Sequence, residues 1–359
     1  MSRASKKIAW RNIYHMIAYA IDELAYMDLD DIDFEEYKSL NDLIAELMIK
    51  AVELLNENAY LHDYNKTKID TDKIKGRILI EDSYRRGVIA LGKLCCEYFK
   101  FDVNSIYNKI IKTALKHILT RDDIADERLI KINSIINEMY GVDTLEPYNI
   151  DFRDIDYKSL PGWYKPAIVV SKLVIDEIIG LDEEGNRRLY ELSDNARLRY
   201  IFEKFVRNFY MNEYKRGRTT NPSIPIRGSS RKRKRILDAL IETDTRALII
   251  NAKWYDSEKS YTSRNENMAV MLDCCIGYSQ LEGKGNVEVA GVVLYAKNNS
   301  DKCDFDDKEE RKVGVDIEGE SHNKVFMIYD KTIDLCKDFE DIKRDLIKKA
   351  DAMLFQYKY

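Results

Sequence analysis

The sequence predicts an α+β protein, mainly helical with short strands in its first part and built on a mixed β-sheet flanked by helices in its second. Helical periodicity dominates the first half, whereas strand-like runs alternate with helices in the second. The 359 residues, 45% of them hydrophobic, suffice for two domains with separate cores. The stretch 142–161 has turn residues and two prolines, which places the domain junction near Tyr157–Pro166, so we expect domains of residues 1–160 and 161–359.

Apolar residues recur at three- and four-residue intervals through the first half, which predicts amphipathic helices. The predicted helices cover Ile8–Leu24, Leu40–Leu55, Ser105–Ile118 and Arg128–Met139, and a short strand covers Ile74–Ile80. Two further helices are expected before the second domain's strands, the last of them carrying Glu203. Such apolar stripes ordinarily face a core, and the alternative is a groove for a partner protein.

Two short apolar runs, Ile236–Ile241 and Ala247–Ile250, predict a β-hairpin because the polar segment Glu242–Arg246 between them is turn-forming. Beyond this hairpin the same reasoning predicts a helix over Asn265–Leu281, strands over Val287–Ala296 and Lys324–Asp330, and a terminal helix over Phe339–Phe355. Helix, hairpin, helix and strands in this order predict a mixed sheet with helices packed on it.

The hairpin brings three polar side chains together. Side chains alternate along a strand, so Asn251 and Lys253 point the same way, and antiparallel pairing brings Asp238 alongside them. Hard oxygen ligands hold Mg²⁺, and a lysine can orient a nucleophile or offset developing negative charge. The spacing therefore suits magnesium-dependent phosphodiester hydrolysis. The alternative for Asp238 and Lys253 is that they are edge-strand charges that discourage aggregation.

Asn251 is a neutral residue at a position where an Asp or Glu would supply an anionic ligand. An amide oxygen can coordinate Mg²⁺, but without a formal charge it binds more weakly. Three explanations stay open: an engineered inactivation of an original Asp, a natural loss of activity, or a working variant rescued by another carboxylate.

The charge balance locates a basic segment within an acidic chain. The net charge is −5, yet residues 201–255 carry 13 basic against 5 acidic side chains. The strongest run consists of Arg231, Lys232, Arg233, Lys234 and Arg235. A solvated face is the ordinary interpretation of such a run. Its position immediately before the metal-site strand favours sequence-independent contacts with DNA phosphates instead.

Several classes of protein are excluded by the sequence. The six cysteines show no CxxC spacing and no secretory signal accompanies them, so we expect reduced, mostly buried thiols and no structural zinc. Apolar runs fall short of the roughly 18 residues that a membrane helix needs, so we expect a soluble, cytoplasmic protein with no membrane contact. No GxxxxGK[ST] motif is present, so we expect no nucleotide bound by this chain.

A set of segments resembles the McrC-type nuclease subunits of McrBC restriction systems. The family pattern is a helix with Leu/Tyr-Phe-Glu-x-Phe-Val, then an Asp, then Ile-Asp-Ala-Lys-Tyr, and the similar segments here lie at Tyr200–Val206, Asp238 and Ile249–Tyr255. Similar segments in the first half are Arg11–Ala20, Lys75–Ile78 and Asn108–Thr113. The chain departs from the pattern at Asn251, where the family has Asp, and within Met271–Tyr278, which lacks a Gln that family members often carry.

The resemblance implies a PD-(D/E)xK nuclease core in the second domain and a partner-docking role for the first. It implies an endonuclease that cuts double-stranded DNA only when assembled with a GTP-hydrolysing McrB-like AAA+ hexamer, which recognises modified cytosine. Carried over by position, Asp238, Asn251, Lys253 and Glu203 are the expected catalytic residues, and Asp238, Asn251 and Glu203 the expected ligands of Mg²⁺. The rival expectation is a catalytically inactive DNA-binding or assembly subunit that keeps the nuclease fold.

Overall fold

The computed structural model describes residues 8–21, 37–181, 187–189, 194–225, 234–254, 261–297, 310–315 and 324–355. They form two compact units. The helical unit contains the described residues between 37 and 189, and the sheet unit contains residues 8–21 and the described residues from 194 onward. This division differs from the expected boundary at 160/161, because the helix that follows this boundary packs against helices of the first unit. The functions expected of the two domains stay predictions.

The elements up to residue 189 alternate helices with short strands. In chain order they are α1 (Trp10–Ala20), α2 (Leu40–Asn58), β1 (Asp63–Thr71), β2 (Arg77–Ile78), α3 (Ile80–Arg85), β3 (Leu94–Asp102), α4 (Ile106–Ile118), α5 (Asp126–Glu138), α6 (Lys165–Ile178), β4 (Ile179–Leu181) and β5 (Arg187–Leu189). The helices predicted from periodicity are confirmed, whereas the strand predicted over Ile74–Ile80 is shorter because α3 begins at Ile80.

The elements from residue 194 onward build the sheet unit together with α1. They are α7 (Asp194–Glu213), β6 (Arg218–Thr220), β7 (Ser223–Pro225), β8 (Lys234–Ile236), β9 (Ala239–Glu242), β10 (Arg246–Trp254), α8 (Tyr261–Ser279), β11 (Glu288–Lys297), β12 (Glu310–Val315), β13 (Lys324–Asp334) and α9 (Phe339–Phe355). The helices and strands expected in this part are all present.

The helical unit has its core around α2, which packs against α5 and α6, while α4 packs against α6. The side chain of Ser39 caps α2 by accepting the N–H of Asp42 at 3.0 Å, which satisfies a donor that the first helical turn leaves free. Strands β1, β3 and β2 form an antiparallel sheet in that order. This unit is therefore mainly helical with short strands, as the sequence predicts.

The sheet unit is organised on a mixed sheet, six-stranded over the described residues, in the order β12-β13-β11-β10-β9-β6. Strands β10, β11 and β13 run parallel, while β9 and β12 pair antiparallel with their neighbours. Helix α8 connects β10 to β11, as a parallel pair requires a crossover. The predicted α+β class is confirmed.

Helices cover both faces of this sheet. Methionine and cysteine side chains of α8, among them Met271 and Cys275, join a buried cluster with Ile249 and Val293 of the strands. On the other face, aromatic rings of α1, α7 and α9 meet, with the Phe205 and Phe339 centroids 6.1 Å apart. These layers bury the centre of β10 on both sides. This packing fixes the position of the polar end of the strand.

Helix α1 belongs to the sheet unit although it opens the chain. The side-chain amide of Asn12 donates to the carbonyl oxygens of Leu335 and Lys337, at 2.8 and 2.7 Å. Because these bonds satisfy the end of the last strand before α9 begins, they tie the start of the chain to its final strand and helix.

The cysteines agree with the expectation of free thiols wherever they are described: four are buried and Cys336 is half-buried, and none forms a disulfide among the described residues. Cys303 lies outside the described residues. None of the helices described combines the length and the apolar character needed to cross a bilayer.

Candidate active site

The hairpin of β9 and β10 forms as predicted. The two strands pair antiparallel, with Ala239 opposite Ile250 as the last pair. The turn closes where the N–H of Thr243 donates to the carbonyl of Arg246 at 2.8 Å. Asp238 lies one residue before the last pair and Asn251 one residue after it, and the Asp238 carboxylate bonds the N–H of Ala252, so the predicted neighbours are brought together at the open end of the hairpin.

Asp238 is held from two sides. Its carboxylate Oδ2 accepts the backbone N–H of Ala252 at 2.8 Å, and its main-chain carbonyl accepts the Nε of Arg207 at 3.1 Å. Burial raises the pKa of Asp238, and the Ala252 bond and nearby cations only partly oppose this shift. The ionised carboxylate is therefore costly here in the absence of a cation.

Glu203 approaches the same place from α7. This helix packs on β10, where the rings of Phe202 and Trp254 meet edge to face with centroids 6.0 Å apart. Glu203 is half-buried, and its pKa is raised first by burial and then by the negative charge of Asp238. Burial and the charge of Asp238 thus both disfavour the ionised form of Glu203, an effect that a bound cation would oppose.

Asn251 and Lys253 are half-buried neighbours on one face of β10. The charge of Lys253 lowers the pKa of both Asp238 and Glu203, opposing the effect of burial. All four residues singled out in the sequence therefore converge on the end of the hairpin, with Asn251 placed there by strand register and the others coupled by their charges.

The donors suit a hard divalent cation in kind. Two carboxylates and one amide oxygen are the ligand types that Mg²⁺ prefers. Over the residues that the structure describes, no group of three or more His, Cys, Asp or Glu side chains could hold a metal ion. The described donors at this site are thus two anions and the neutral Asn251, and no third carboxylate from the described residues stands in for it.

The basic run is only partly described. Arg231, Lys232 and Arg233 lie outside the described residues, whereas Lys234 is exposed and Arg235 half-buried on β8. The charge of Arg235 lowers the pKa of Asp238. The end of the basic run is therefore near the candidate site, as its position in the sequence led us to expect.

Two cations next to the site were not singled out from the sequence. Arg199 and Arg207 lie four residues before and after Glu203 on α7, and the charges of both lower its pKa. Their spacing is the available signal, since residues four apart on a helix share a face. That signal is weak by itself, because charged side chains at this spacing are common on surface helices.

Comparison with known proteins gives a match over most of the chain. A protein-family model described as "McrBC 5-methylcytosine restriction system component" matches residues 1–273. The chain is also similar to the Type IV methyl-directed restriction enzyme EcoKMcrBC of Escherichia coli K12, at 24% identity over 255 residues, which are 69% of this chain and 73% of that protein.

A solved structure supports the fold over nearly the whole chain. The match is to a chain of a Thermococcus gammatolerans assembly described as McrB AAA+ hexamers with bound McrC, with a TM-score of 0.50 and 12% identity. It covers 95% of this chain and 75% of the matched chain. At this identity the match speaks for the fold alone.

Proposed function

Since the chain belongs to the family of McrBC 5-methylcytosine restriction system components, we propose that it is the McrC-like nuclease subunit of such a system, with a PD-(D/E)xK site that hydrolyses DNA in a magnesium-dependent reaction. The observation that carries the proposal is the convergence of Glu203, Asp238 and Lys253 around Asn251, on a helix and a hairpin in the order typical of this nuclease class.

Each residue has a distinct role in this proposal. Asp238 and Glu203 would hold the cation with their carboxylates, and Asn251 would add a neutral amide oxygen. When bound, Mg²⁺ supplies Lewis-acid chemistry at the scissile phosphate. Lys253 orients the attacking water and offsets the negative charge that develops on the phosphate. Lys234, Arg235 and the three cations before them bind DNA phosphates without reading sequence.

The proposed partner is an AAA+ GTPase hexamer of the McrB type. The structural relative is a chain from an assembly of McrB AAA+ hexamers with bound McrC. The match covers 95% of the present chain and 75% of the matched chain. We propose that GTP is bound and hydrolysed by that partner and that the helical unit contributes the docking surface. Cleavage would then require both proteins together.

A second function is favoured by Asn251 itself. With Asn251 at the acidic position, the two carboxylates of Asp238 and Glu203 would hold the cation with one negative charge fewer than three anionic groups. A chain of this kind can serve as a DNA-binding or assembly subunit that keeps the nuclease fold without cutting. The two functions differ in what restoring the acidic residue does.

Supercoiled-plasmid cleavage with Mg²⁺ separates the two functions. The chain as given and its Asn251→Asp variant are each assayed alone and with the GTPase plus GTP. The nuclease proposal expects the variant to cut faster by on the order of a hundredfold, since a well-occupied metal site lowers the barrier to hydrolysis by several kcal/mol.

A matched control adds Lys253→Ala to the Asn251→Asp variant, which should remove the restored cleavage while assembly with the GTPase persists. Absence of cleavage in every complex, despite demonstrated assembly, would instead identify the non-catalytic subunit.

A further inference from the structure

Arg207 makes a contact at the candidate site that the nuclease motif does not require. Its Nε donates to the main-chain carbonyl of Asp238 at 3.1 Å, so α7 is joined directly to the residue that precedes β9. Glu203 lies one helical turn earlier on the same helix. A single side chain therefore links the backbone that carries one carboxylate to the helix that carries the other.

The bond acts where the hairpin ladder has ended. Backbone pairing of β9 with β10 stops at Ala239 and Ile250. Beyond that pair, Asp238 is fixed by its side-chain bond to the N–H of Ala252 and by the guanidinium of Arg207 on its carbonyl. The preceding residue, Leu237, is held separately by its N–H bond to the carbonyl of Pro222 at 3.1 Å, so the Arg207 bond acts on the peptide group that leads from Asp238 into β9.

Arg207 also carries a charge in a suitable place. It is half-buried, and its positive charge lowers the pKa of both Asp238 and Glu203. A planar guanidinium can bond the carbonyl through one nitrogen while its charge is delocalised over the others, a combination that the point charge of a lysine cannot reproduce.

We propose that Arg207 is a positioning residue, which sets the separation of the Glu203 and Asp238 carboxylates by clamping the Asp238 backbone to α7. The bond between Arg207 and Asp238 holds in the metal-free protein. Its role in positioning metal ligands rests on the proposed nuclease function. The proposed action of Arg207 is through the backbone of Asp238 and not through contact with substrate or cation.

Amide hydrogen exchange at Ala252 tests the clamp in the full, metal-free chain without DNA. If Arg207 holds Asp238 in place, Arg207→Gln weakens the Asp238–Ala252 bond and speeds exchange of the Ala252 amide by about fivefold to tenfold. The ladder amides of Ala247–Ile250 serve as the internal reference and should keep their rates. Arg199→Gln is the matched control, since it removes a cation beside Glu203 from the same helix, and it should leave Ala252 unchanged.

The conservative variant Arg207→Lys keeps the positive charge and the fold while altering the donor geometry, and it should show the same selective rise at Ala252, to a smaller extent. An unchanged Ala252 rate in the Arg207 variants, or a rise shared equally by the ladder amides, would overturn the proposal.

A second readout connects the clamp to the cation. In the Asn251→Asp background, Arg207→Lys should weaken Mn²⁺ binding by about tenfold without lowering the unfolding temperature in proportion, on the scale seen when residues that orient metal ligands are removed. Equal affinity with and without the substitution would refute the positioning role. The exchange measurement needs no metal, so it decides on the clamp even if the cleavage assay shows that the chain is no nuclease.

Discussion

The surroundings of the two carboxylates in the candidate site disfavour their ionised forms. Burial raises the pKa of Asp238 above its ordinary value of 3.8 and that of Glu203 above 4.5, and each group lies near another acid. Binding sites are commonly destabilising in the empty protein, and the free energy of cation binding to the folded state offsets this destabilisation. The direction of the two pKa shifts determines how the free energy of unfolding changes with pH.

A folded pKa above the unfolded one means that the folded chain binds more protons, so the free energy of unfolding falls as pH rises from the unfolded values through the raised ones. Glu203→Gln removes one of these groups. We expect this variant to unfold at a higher temperature than the unmodified chain at pH 7.5 in EDTA, with the difference shrinking towards pH 4. Thermal melts at both pH values measure it. A difference independent of pH would show that Glu203 is not the group responsible.

The residues of the site could be predicted from the sequence to differing degrees. Asp238, Asn251 and Lys253 could be predicted because strand alternation and a short turn fix which side chains meet. Arg207 could not be predicted, because it bonds a backbone carbonyl, which every residue type carries. Placement of Glu203 needed the resemblance, because helix carboxylates at the edge of an apolar stripe are common.

At the element scale, helix α8 lies unusually close to its neighbours. A methyl group added at Gly277 would overlap the main-chain oxygen of Pro225 on β7, which pairs with the strand that carries Lys234 and Arg235. A backbone atom cannot move aside as a flexible side chain can. Gly277 is therefore required for this packing and helps to place the basic strand.

Gly277→Ala tests this packing by the sign of its effect. Helix propensity alone predicts a gain of about 1 kcal/mol from replacing a helical glycine, whereas overpacking predicts a net loss of about 1–3 kcal/mol. We expect the loss, measured by chemical denaturation. Gly314→Ala on β12 is the control, because an added methyl there meets nothing within 4 Å. A stabilised Gly277→Ala variant would contradict the close contact.

Helices and strands could be predicted from the sequence where the periodic pattern of apolar residues was strong. Helices α2, α4 and α9 and strands β10 and β11 have sustained periodicity and lie near the predicted positions. Strand β1 was not predicted, since its sequence alternates charged and polar residues with little apolar content and both of its faces are largely accessible. Its pairing with β3 decides its conformation, and such pairing is not local information.

At the scale of the whole molecule, the division into units depends on long-range packing. Prolines near residue 160 mark local turns, but α6 beyond them packs on α2 and α4, and α1 packs on α7. An amphipathic stripe shows that a helix is buried without showing against what. For this reason the expected boundary at 160/161 and the division between the two compact units lie at different places in the chain.

The charge distribution of the whole chain predicts how DNA affinity depends on salt. An overall charge of −5 gives no general attraction to DNA, so binding should depend on the basic segment. Replacing Lys234 and Arg235 together by Gln should reduce the slope of log affinity against log salt by about 2, since each phosphate contact contributes roughly 0.9. Filter binding over a salt series measures the slope.

The matched control replaces two exposed cations of α9, Arg344 and Lys348, by Gln, which makes the same change in net charge. This control should keep the original slope. Equal slopes for both double variants would place the DNA surface elsewhere.

We propose that Glu203, Asp238 and residue 251 form one divalent-cation site. Calorimetric titration of Mg²⁺ and Mn²⁺ into the full chain measures this binding. We expect weak binding by the chain as given, an increase on the order of tenfold or more in the Asn251→Asp variant, and loss of that increase when Asp238→Asn or Glu203→Gln is added. Binding that is the same in all four proteins would contradict it.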